Sequence, residues 1–468
     1  MGLGAVAAVS RPPLALATAP SPSAQYVSRP DLTPPVLSVT RRAAGTAPGY
    51  VFVAPFAGDK NGTAMIVDDT GEPVWIRQSR SLIMNFRVQQ LNGEPVLTWW
   101  EGSVVDGLYE GNCVIVDEGY GVVKRLAAGN GFLPELHEFL ITPEGTALVT
   151  INNPLPTDLS PYGGPVDGTL IEGVIQELDI STGRVLFEWH SLDHVGPDES
   201  TFPVGSPWDY LHLNSIDVDP SDGHLVVSAR YSSTVYKLDR TSGEVLWRLG
   251  GTSSDFAIAP EAAFWFQHDA RVHPGGLLSL FDDGADGVGD APEPVSRALV
   301  LALDTDAMTA ELLKAYPSPS GALTIAMGNT QLLATGGAFV GWGTTPQVSE
   351  LAGDGTLLFD ATFPGGAYTY RAFRSQWLGR ADGPPLFAVS RAADSKVDVF
   401  ASWNGATRVA GWQVLGGPAA DALAPIASSP RTGFETRIRL DRLSTHLAVS
   451  ALDAAGKELG RSRTLVLL

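Results

Sequence analysis

Apolar and polar positions alternate along most of the chain in short runs, broken by turn residues, and helical spacing of apolar residues is rare. One arrangement recurs. An apolar strand ends on Asp, a Gly follows within a few positions, and a second apolar strand often closes on Trp or Phe. The clearest copy is Val235-Tyr236-Lys237-Leu238-Asp239, Gly243 and Glu244-Val245-Leu246-Trp247. Others run Ile175-Gln176-Glu177-Leu178-Asp179, Gly183, Val185-Leu186-Phe187 and Met65-Ile66-Val67-Asp68, Gly71, Pro73-Val74-Trp75. Weaker copies centre on Val116-Asp117 with Gly119 and Gly121, on Leu303-Asp304, and on Gly353-Asp354-Gly355. This predicts a hairpin in which Asp caps the turn and Gly takes the positive-φ position. The closing aromatic then packs between neighbouring sheets.

The copies lie roughly 50–65 residues apart, and a further strand pair such as Leu225-Val226-Val227-Ser228-Ala229 precedes each hairpin. Four strands per repeat and six repeats predict an all-β chain whose residues 26–381 form a six-bladed β-propeller. Residues 50–53 are expected beside residues 368–371, closing the ring and removing its open edges. The competing reading is one large β-sandwich or two smaller β domains. The character changes at Arg380-Ala381-Asp382-Gly383-Pro384-Pro385. Residues 382–468 read as a small immunoglobulin- or fibronectin-like β-sandwich with Trp403 and Trp412 in its core.

Composition narrows the function. With 51 Asp and Glu against 31 Lys and Arg, the net charge of −20 repels polyanions, and no basic run offsets it, so nucleic acid is not an expected partner. The lone cysteine, Cys113, excludes an internal disulfide and makes a cysteine metal site untenable. Residues 1–25 are small, apolar and Pro-interrupted, and read as a signal-like segment of a secreted protein. Asn61-Gly62-Thr63 is a glycosylation triplet. No apolar run is long enough to span a membrane.

Three of the eight histidines sit in similar settings, each just before a predicted inner strand. They are His137 in Glu135-Leu136-His137-Glu138, His212 in Asp209-Tyr210-Leu211-His212-Leu213-Asn214, and His268 in Phe266-Gln267-His268-Asp269. Successive blades would send these imidazoles to one axial centre. Arg230 ends an otherwise apolar strand, where a guanidinium is costly unless it meets an anion, and its planar fork suits sulfate, phosphate or carboxylate oxygens. Asn214 adds an amide donor two residues from His212, and Trp265, Trp100 and Tyr231 are the aromatics expected to face a ligand. Plain ion pairing of Arg230 with Asp217 or Asp269 competes with this reading. So does a three-histidine zinc site, against which the cationic Arg230 counts. We therefore expect neither metal nor cofactor. His224 and His273 read as solvent-facing turn residues. Residues 282–287 resemble a calcium loop without its distal Glu and read as a solvated turn.

The motifs Asp209-Tyr210-Leu211-His212-Leu213-Asn214-Ser215, Ser228-Ala229-Arg230, Trp247-Arg248-Leu249-Gly250-Gly251 and Phe266-Gln267-His268-Asp269-Ala270-Arg271 resemble the arylsulfate sulfotransferases, and more closely their arylsulfotransferase-like branch. The resemblance runs from about Tyr26 to the C-terminus. It implies a six-bladed propeller that moves a sulfuryl group from an aryl sulfate to a phenol, without a nucleotide donor, through a sulfurylated histidine. By motif that histidine is His268, the anion-binding pair is His212 and Asn214, the arginine is Arg230, and the further histidine is His137. The chain departs from the founding branch in lacking a disulfide near the site and in carrying its extra module at the C-terminus. The alternatives are a hydrolase or cyclase of secondary metabolism on the same scaffold, and a non-catalytic binding protein.

Overall fold

The computed structural model describes residues 22–59, 61–381, 383–391, 396–442 and 444–467. Most of the signal-like segment and Asp382 at the expected domain boundary therefore lie outside the described residues. The chain is all-β, and its few helical stretches are 3₁₀ turns of three residues. Between residues 38 and 375 the strands form six antiparallel four-stranded sheets, some with an added strand. The first joins Tyr368–Ser375 to Tyr50–Phe56, Thr63–Val67 and Pro73–Gln78, and the second runs Leu82–Leu91, Glu94–Val105, Leu108–Val116 and Val122–Leu126. The third is Phe139–Ile141, Thr146–Thr157, Gly168–Asp179 and Val185–His190, and the fourth is Leu213–Val218, Leu225–Ala229, Thr234–Leu238 and Val245–Gly250. The fifth is His268–His273, Leu277–Asp282, Arg297–Asp304 and Thr309–Pro317, and the sixth is Asn329–Leu332, Ala338–Gly341, Gln347–Leu351 and Leu357–Thr362.

Every copy of the repeated Asp falls at the same place, the turn between the third and fourth strand of a sheet. Its Oδ1 accepts backbone N–H groups from the turn itself, Thr70 on Asp68, Gly119 and Gly121 on Asp117, Thr182 on Asp179, Thr241 and Ser242 on Asp239, Asp306 and Ala307 on Asp304, and Thr356 on Asp354. Gly71, Gly183, Gly243 and Gly355 take the left-handed conformation as expected, but in the second sheet Tyr120 takes it at φ 63°, not Gly119 or Gly121. The reason is packing. The Tyr120 ring stacks on Trp75 at 4.9 Å, Trp75 stacks on Phe86, and this aromatic contact offsets the cost of a non-glycine residue at positive φ.

The strand Tyr50–Phe56 pairs with Tyr368–Ser375, Val53 opposite Ala372 and Pro55 opposite Thr369, so the end of this region supplies a strand to its first sheet. Ser38–Arg42 adds itself to the outer strand of the sixth sheet. Side chains on the inner strands stitch neighbouring sheets together. Gln89 bonds Phe139 O and Ile141 N, Ser215 bonds Ala270, Thr330 bonds Leu280 O, and Asn329 bonds both main-chain groups of Ala372.

After residue 385 two further sheets share one core. Leu386–Arg391, Val397–Ser402 and Glu435–Leu440 form the first, and the second contains Gly411–Gly417, Ala424–Pro430, His446–Leu452 and Glu458–Arg461. Val399, Ile438, Trp412, Val414, Leu447 and Val449 are buried between them, and Trp403, expected in that core, packs only partly buried at its edge. Asn404 accepts from Ile76 N–H and donates to Ile76 O, which covers the outer edge of Pro73–Gln78.

Candidate active site

The three imidazoles come together. One nitrogen from each of His137, His212 and His268 lies within 4.8 Å of the others, and the His137 and His212 ring centres are 4.6 Å apart. Each ring is held by a carboxylate that the sequence reading did not pick out. His137 Nδ1 meets Glu135, His212 Nδ1 meets Asp209 at 2.5 Å, and His268 Nδ1 meets Asp283 at 2.6 Å. Glu135 and Asp209 also accept the backbone N–H of the histidine they orient. With Nδ1 of every ring engaged, Nε2 is the atom left for chemistry.

Local backbone makes this possible. The short strand Trp208–Asp209 runs parallel to residues 170–171 and fixes Asp209. His212 sits at φ 54°, a strained conformation for a histidine, held because its N–H reaches Asp209 and its carbonyl accepts the Arg230 N–H. On the other side Phe266 and Asp269 also take positive φ, and between them the Gln267 amide donates to Ser228 Oγ, Ala229 O and Thr234 O. That clamp sets His268 against the fourth sheet.

Burial and neighbouring positive charge set the protonation. His268 is buried, and desolvation, then the Arg230 guanidinium, hold its pKa well below the ordinary value. Burial also lowers His212, with Asp209 opposing. Asp283 is pushed well above the usual carboxylate range by burial, against the pull of Arg230. The Met327 N–H points at His268 Nε2 at 3.3 Å, so Nε2 is the acceptor. Nδ1, on the other side of the ring, is the atom that shares a hydrogen with Asp283.

Arg230 lies at the site but is already engaged. Its Nη2 donates to the carbonyls of Ile325 at 2.5 Å and Asp286 at 3.1 Å, its guanidinium lies 4.9 Å from the Tyr231 ring centre, and its buried Nε has no partner. Neither Asp217 nor Asp269 is its partner, for both turn to Arg271 or its strand. Tyr231 lies 4.7 Å from the His212 ring and is covered outside by Phe202, stacked at 3.8 Å. Trp265 is 36% exposed.

Four expectations differ from the structure. Asn214 does not offer its amide to a ligand. It is fully buried, its Nδ2 donates to Gln267 O and its Oδ1 accepts from Asp269 N–H, so it staples the fourth sheet to the fifth. Trp100 is not exposed either. Its indole is completely buried over Gly102 and Gly111, where any side chain would collide with it, and it donates to Pro134 O below His137. The acidic stretch at 282–287 is not a solvated turn. Asp282 and Asp283 are buried, Asp282 pairs with Arg297, and Asp286 Oδ1 caps the loop by accepting from Val288, Gly289 and Asp290 N–H. His224 and His273 are half-buried, bonding Arg240 N–H and Ser279.

Tyr370 was also missed. Its ring lies 5.5 Å from His137 and 6.4 Å from His268, and its hydroxyl donates to Asn214 O. The next residue, Arg371, lays its guanidinium 4.9 Å from the Tyr370 ring centre, donates to the same Asn214 O and enters a buried charge cluster. There Glu138 accepts from Arg87 at 2.7 Å, Arg271 at 2.5 Å and Arg371 at 3.2 Å, while Asp269 meets Arg271 and Arg371. A separate cavity of about 660 Å³, lined by Phe56, Asn61, Gln78 and Arg80 among others, holds none of the three imidazoles and has no comparable set of reactive groups.

A model of the family described as arylsulfotransferase (ASST) matches residues 87–364, more than half of the chain and the whole stretch from His137 to His268. The chain belongs to the arylsulfotransferase family. Membership supports aryl sulfotransferase activity in general, and so a transferase. No curated protein matches. Similar solved structures include a Bacteroides caccae protein of unknown function, 14% identical at a TM-score of 0.42 over 70% of this chain and all of that one. Another is a catalytically inactive virginiamycin B lyase from Staphylococcus aureus solved with quinupristin, 10% identical at 0.35 over 75% of this chain and 95% of that one. A third is the Dos1 propeller, 14% identical at 0.33 over 78% of this chain and 75% of that one. At these scores the family rests on the sequence match. No helix among the described residues is long and apolar enough to cross a membrane, which does not bear on spanning by strands.

Proposed function

We propose that the chain is a secreted, nucleotide-independent aryl sulfotransferase that carries a sulfuryl group from an aryl sulfate to a phenol on His268. In this reading the six sheets are the blades of one closed propeller over residues 26–381, and residues 382–468 are a β-sandwich docked on its outer edge. The observation that carries the proposal is the trio of imidazoles from three different sheets, each with Nδ1 on its own carboxylate and with His268 kept neutral.

The neutral ring has a lone pair at Nε2 that meets only the long contact from Met327 N–H, and the Asp283 hydrogen bond at Nδ1 directs it. His268 Nε2 attacks sulfur, the N–S bond forms, and the aryl O–S bond breaks in line. His137 or His212, in its doubly protonated form, gives its Nε2 proton to the departing aryl oxide and becomes neutral. The same group then takes the proton of the incoming phenol, whose oxygen attacks sulfur and releases His268. A loose transition state spreads charge over the non-bridging oxygens, by analogy with phosphoryl transfer. Arg230 and His212 are the groups able to meet that charge. Arg230 keeps Nη2 on its carbonyl partners and has its unpartnered Nε to offer a sulfuryl oxygen. An aryl leaving group suits a site whose acids are buried imidazoles, because its oxide needs little help to depart.

The test is intact-protein mass spectrometry after incubation with 4-nitrophenyl sulfate. The native protein should gain one sulfuryl mass and release 4-nitrophenolate. His268→Ala should do neither, and turnover of that variant at the native rate would overturn the assignment.

A further inference from the structure

We propose that the same three imidazoles form a binding site for a borderline divalent cation of the Zn²⁺ or Co²⁺ class, and that occupation of this site switches sulfuryl transfer off. Three neutral imidazole nitrogens with an open fourth position are a donor set such ions take. The carboxylates behind them are a second and separate observation. Glu135, Asp209 and Asp283 each hold the outward nitrogen of one ring, the arrangement that fixes a histidine's tautomer and raises its basicity toward a metal.

Charge points the same way. Each ring has its own carboxylate behind it, Glu135, Asp209 and Asp283, facing the guanidiniums of Arg230 and Arg371. Arg230 is the obvious objection, but its Nη2 is engaged by the carbonyls of Ile325 and Asp286. Metal–nitrogen bonds of about 2.0–2.1 Å place ligand atoms closer together than the 4.8 Å limit of this cluster, so the rings must close in by about an ångström. His268 would give up only the long contact from Met327 N–H.

The consequence for chemistry follows from one electron pair. The lone pair at His268 Nε2 cannot bind a metal and attack sulfur together, so the two occupancies exclude each other. Inhibition rests on the sulfuryl-transfer reading, whereas metal binding rests only on the geometry.

The experiment uses the full-length, chelator-stripped protein titrated with CoCl₂, read by the visible absorption of tetrahedral Co²⁺ and displaced by ZnCl₂. The expected result is one equivalent bound, with affinity lowered at least tenfold in His137→Gln and in His212→Gln, each checked for a native melting transition, and at least tenfold in Asp209→Asn. Release of 4-nitrophenolate from 4-nitrophenyl sulfate should fall in step with occupancy and return with chelator. Absence of a saturable one-to-one spectrum, or a spectrum unchanged in both histidine variants, overturns the site. Full turnover at saturating Zn²⁺ overturns the switch. Stoichiometric Co²⁺ binding in a protein that never cleaves the ester, with or without chelator, upholds the metal site and sinks the transferase reading instead.

Discussion

Replacing Asp283 by Asn separates positioning from nucleophilicity. The carboxylate accepts at 2.6 Å from His268 Nδ1, and its other oxygen, Oδ1, is buried without a partner. Asparagine has two ways to sit there. With its oxygen on Nδ1 the tautomer survives, but the short carboxyl bond becomes a weaker amide one and a buried NH₂ lands where Oδ1 had no hydrogen-bond partner. The first change is worth about 1.5 kcal/mol and the second about 1–3 kcal/mol. With its nitrogen on Nδ1 the ring must carry its proton at Nε2, and the nucleophilic lone pair is lost. At about 1.4 kcal/mol per tenfold, the milder outcome lowers the rate of His268 sulfurylation at least roughly tenfold. The harsher one approaches the roughly 10⁴-fold loss known when a triad aspartate is amidated. Single-turnover release of 4-nitrophenolate reads this step, with KM for the ester expected to move less than threefold because Asp283 does not face the substrate. A rate within twofold of native, in a variant that keeps its melting temperature, would refute the role given to Asp283.

Two further outcomes follow from the site. Asn214→Ala should cost about 1–3 kcal/mol of stability, because Gln267 O and Asp269 N–H lose buried partners, while KM for the aryl sulfate stays within threefold; denaturant melts with steady-state kinetics decide it, and a large KM effect at native stability would restore Asn214 as an anion ligand. His212 has a folded pKa below its unfolded value of about 6.5, so its contribution is full above pH 6.5 and is lost as pH falls, since the unfolded chain then binds the proton more readily. The native protein should therefore lose up to about 1 kcal/mol more stability than His212→Gln between pH 7.5 and 5.5, the carboxylates titrating alike in both; equal losses would contradict a neutral His212.

The hairpin turns were legible in the sequence because their physics is local. An Asp accepting N–H groups from its own turn leaves the same trace in each repeat, and a Gly at positive φ joins it in four of the six. Tyr120 escaped the rule because its warrant, the stack on Trp75, is a contact between sheets. The imidazoles were legible for a similar reason, each preceding an inner strand. Their carboxylates were only half visible. Glu135 and Asp209 lie within three residues of the histidine they serve, whereas Asp283 lies fifteen residues from His268 and reads in the sequence as part of an acidic turn. Asn214 misled because alternation along a strand gives the face of a side chain but not what the neighbouring sheet has placed there. Trp100 misled because two facing glycines hide a socket for a large indole.

The order of residues along the inner strands has a last implication. His137 is followed by Glu138, His268 by Asp269, and Tyr370 by Arg371, and in each pair the first side chain belongs to the reactive floor and the second to the buried Glu138–arginine cluster. A single peptide bond thus joins these three side chains to a foundation drawn from four sheets. The upper tier can be re-equipped for other chemistry while the masonry beneath keeps its shape, but a charge removed from the lower tier shifts several reagents at once. Selection on this scaffold would be expected to edit the two tiers at very different rates.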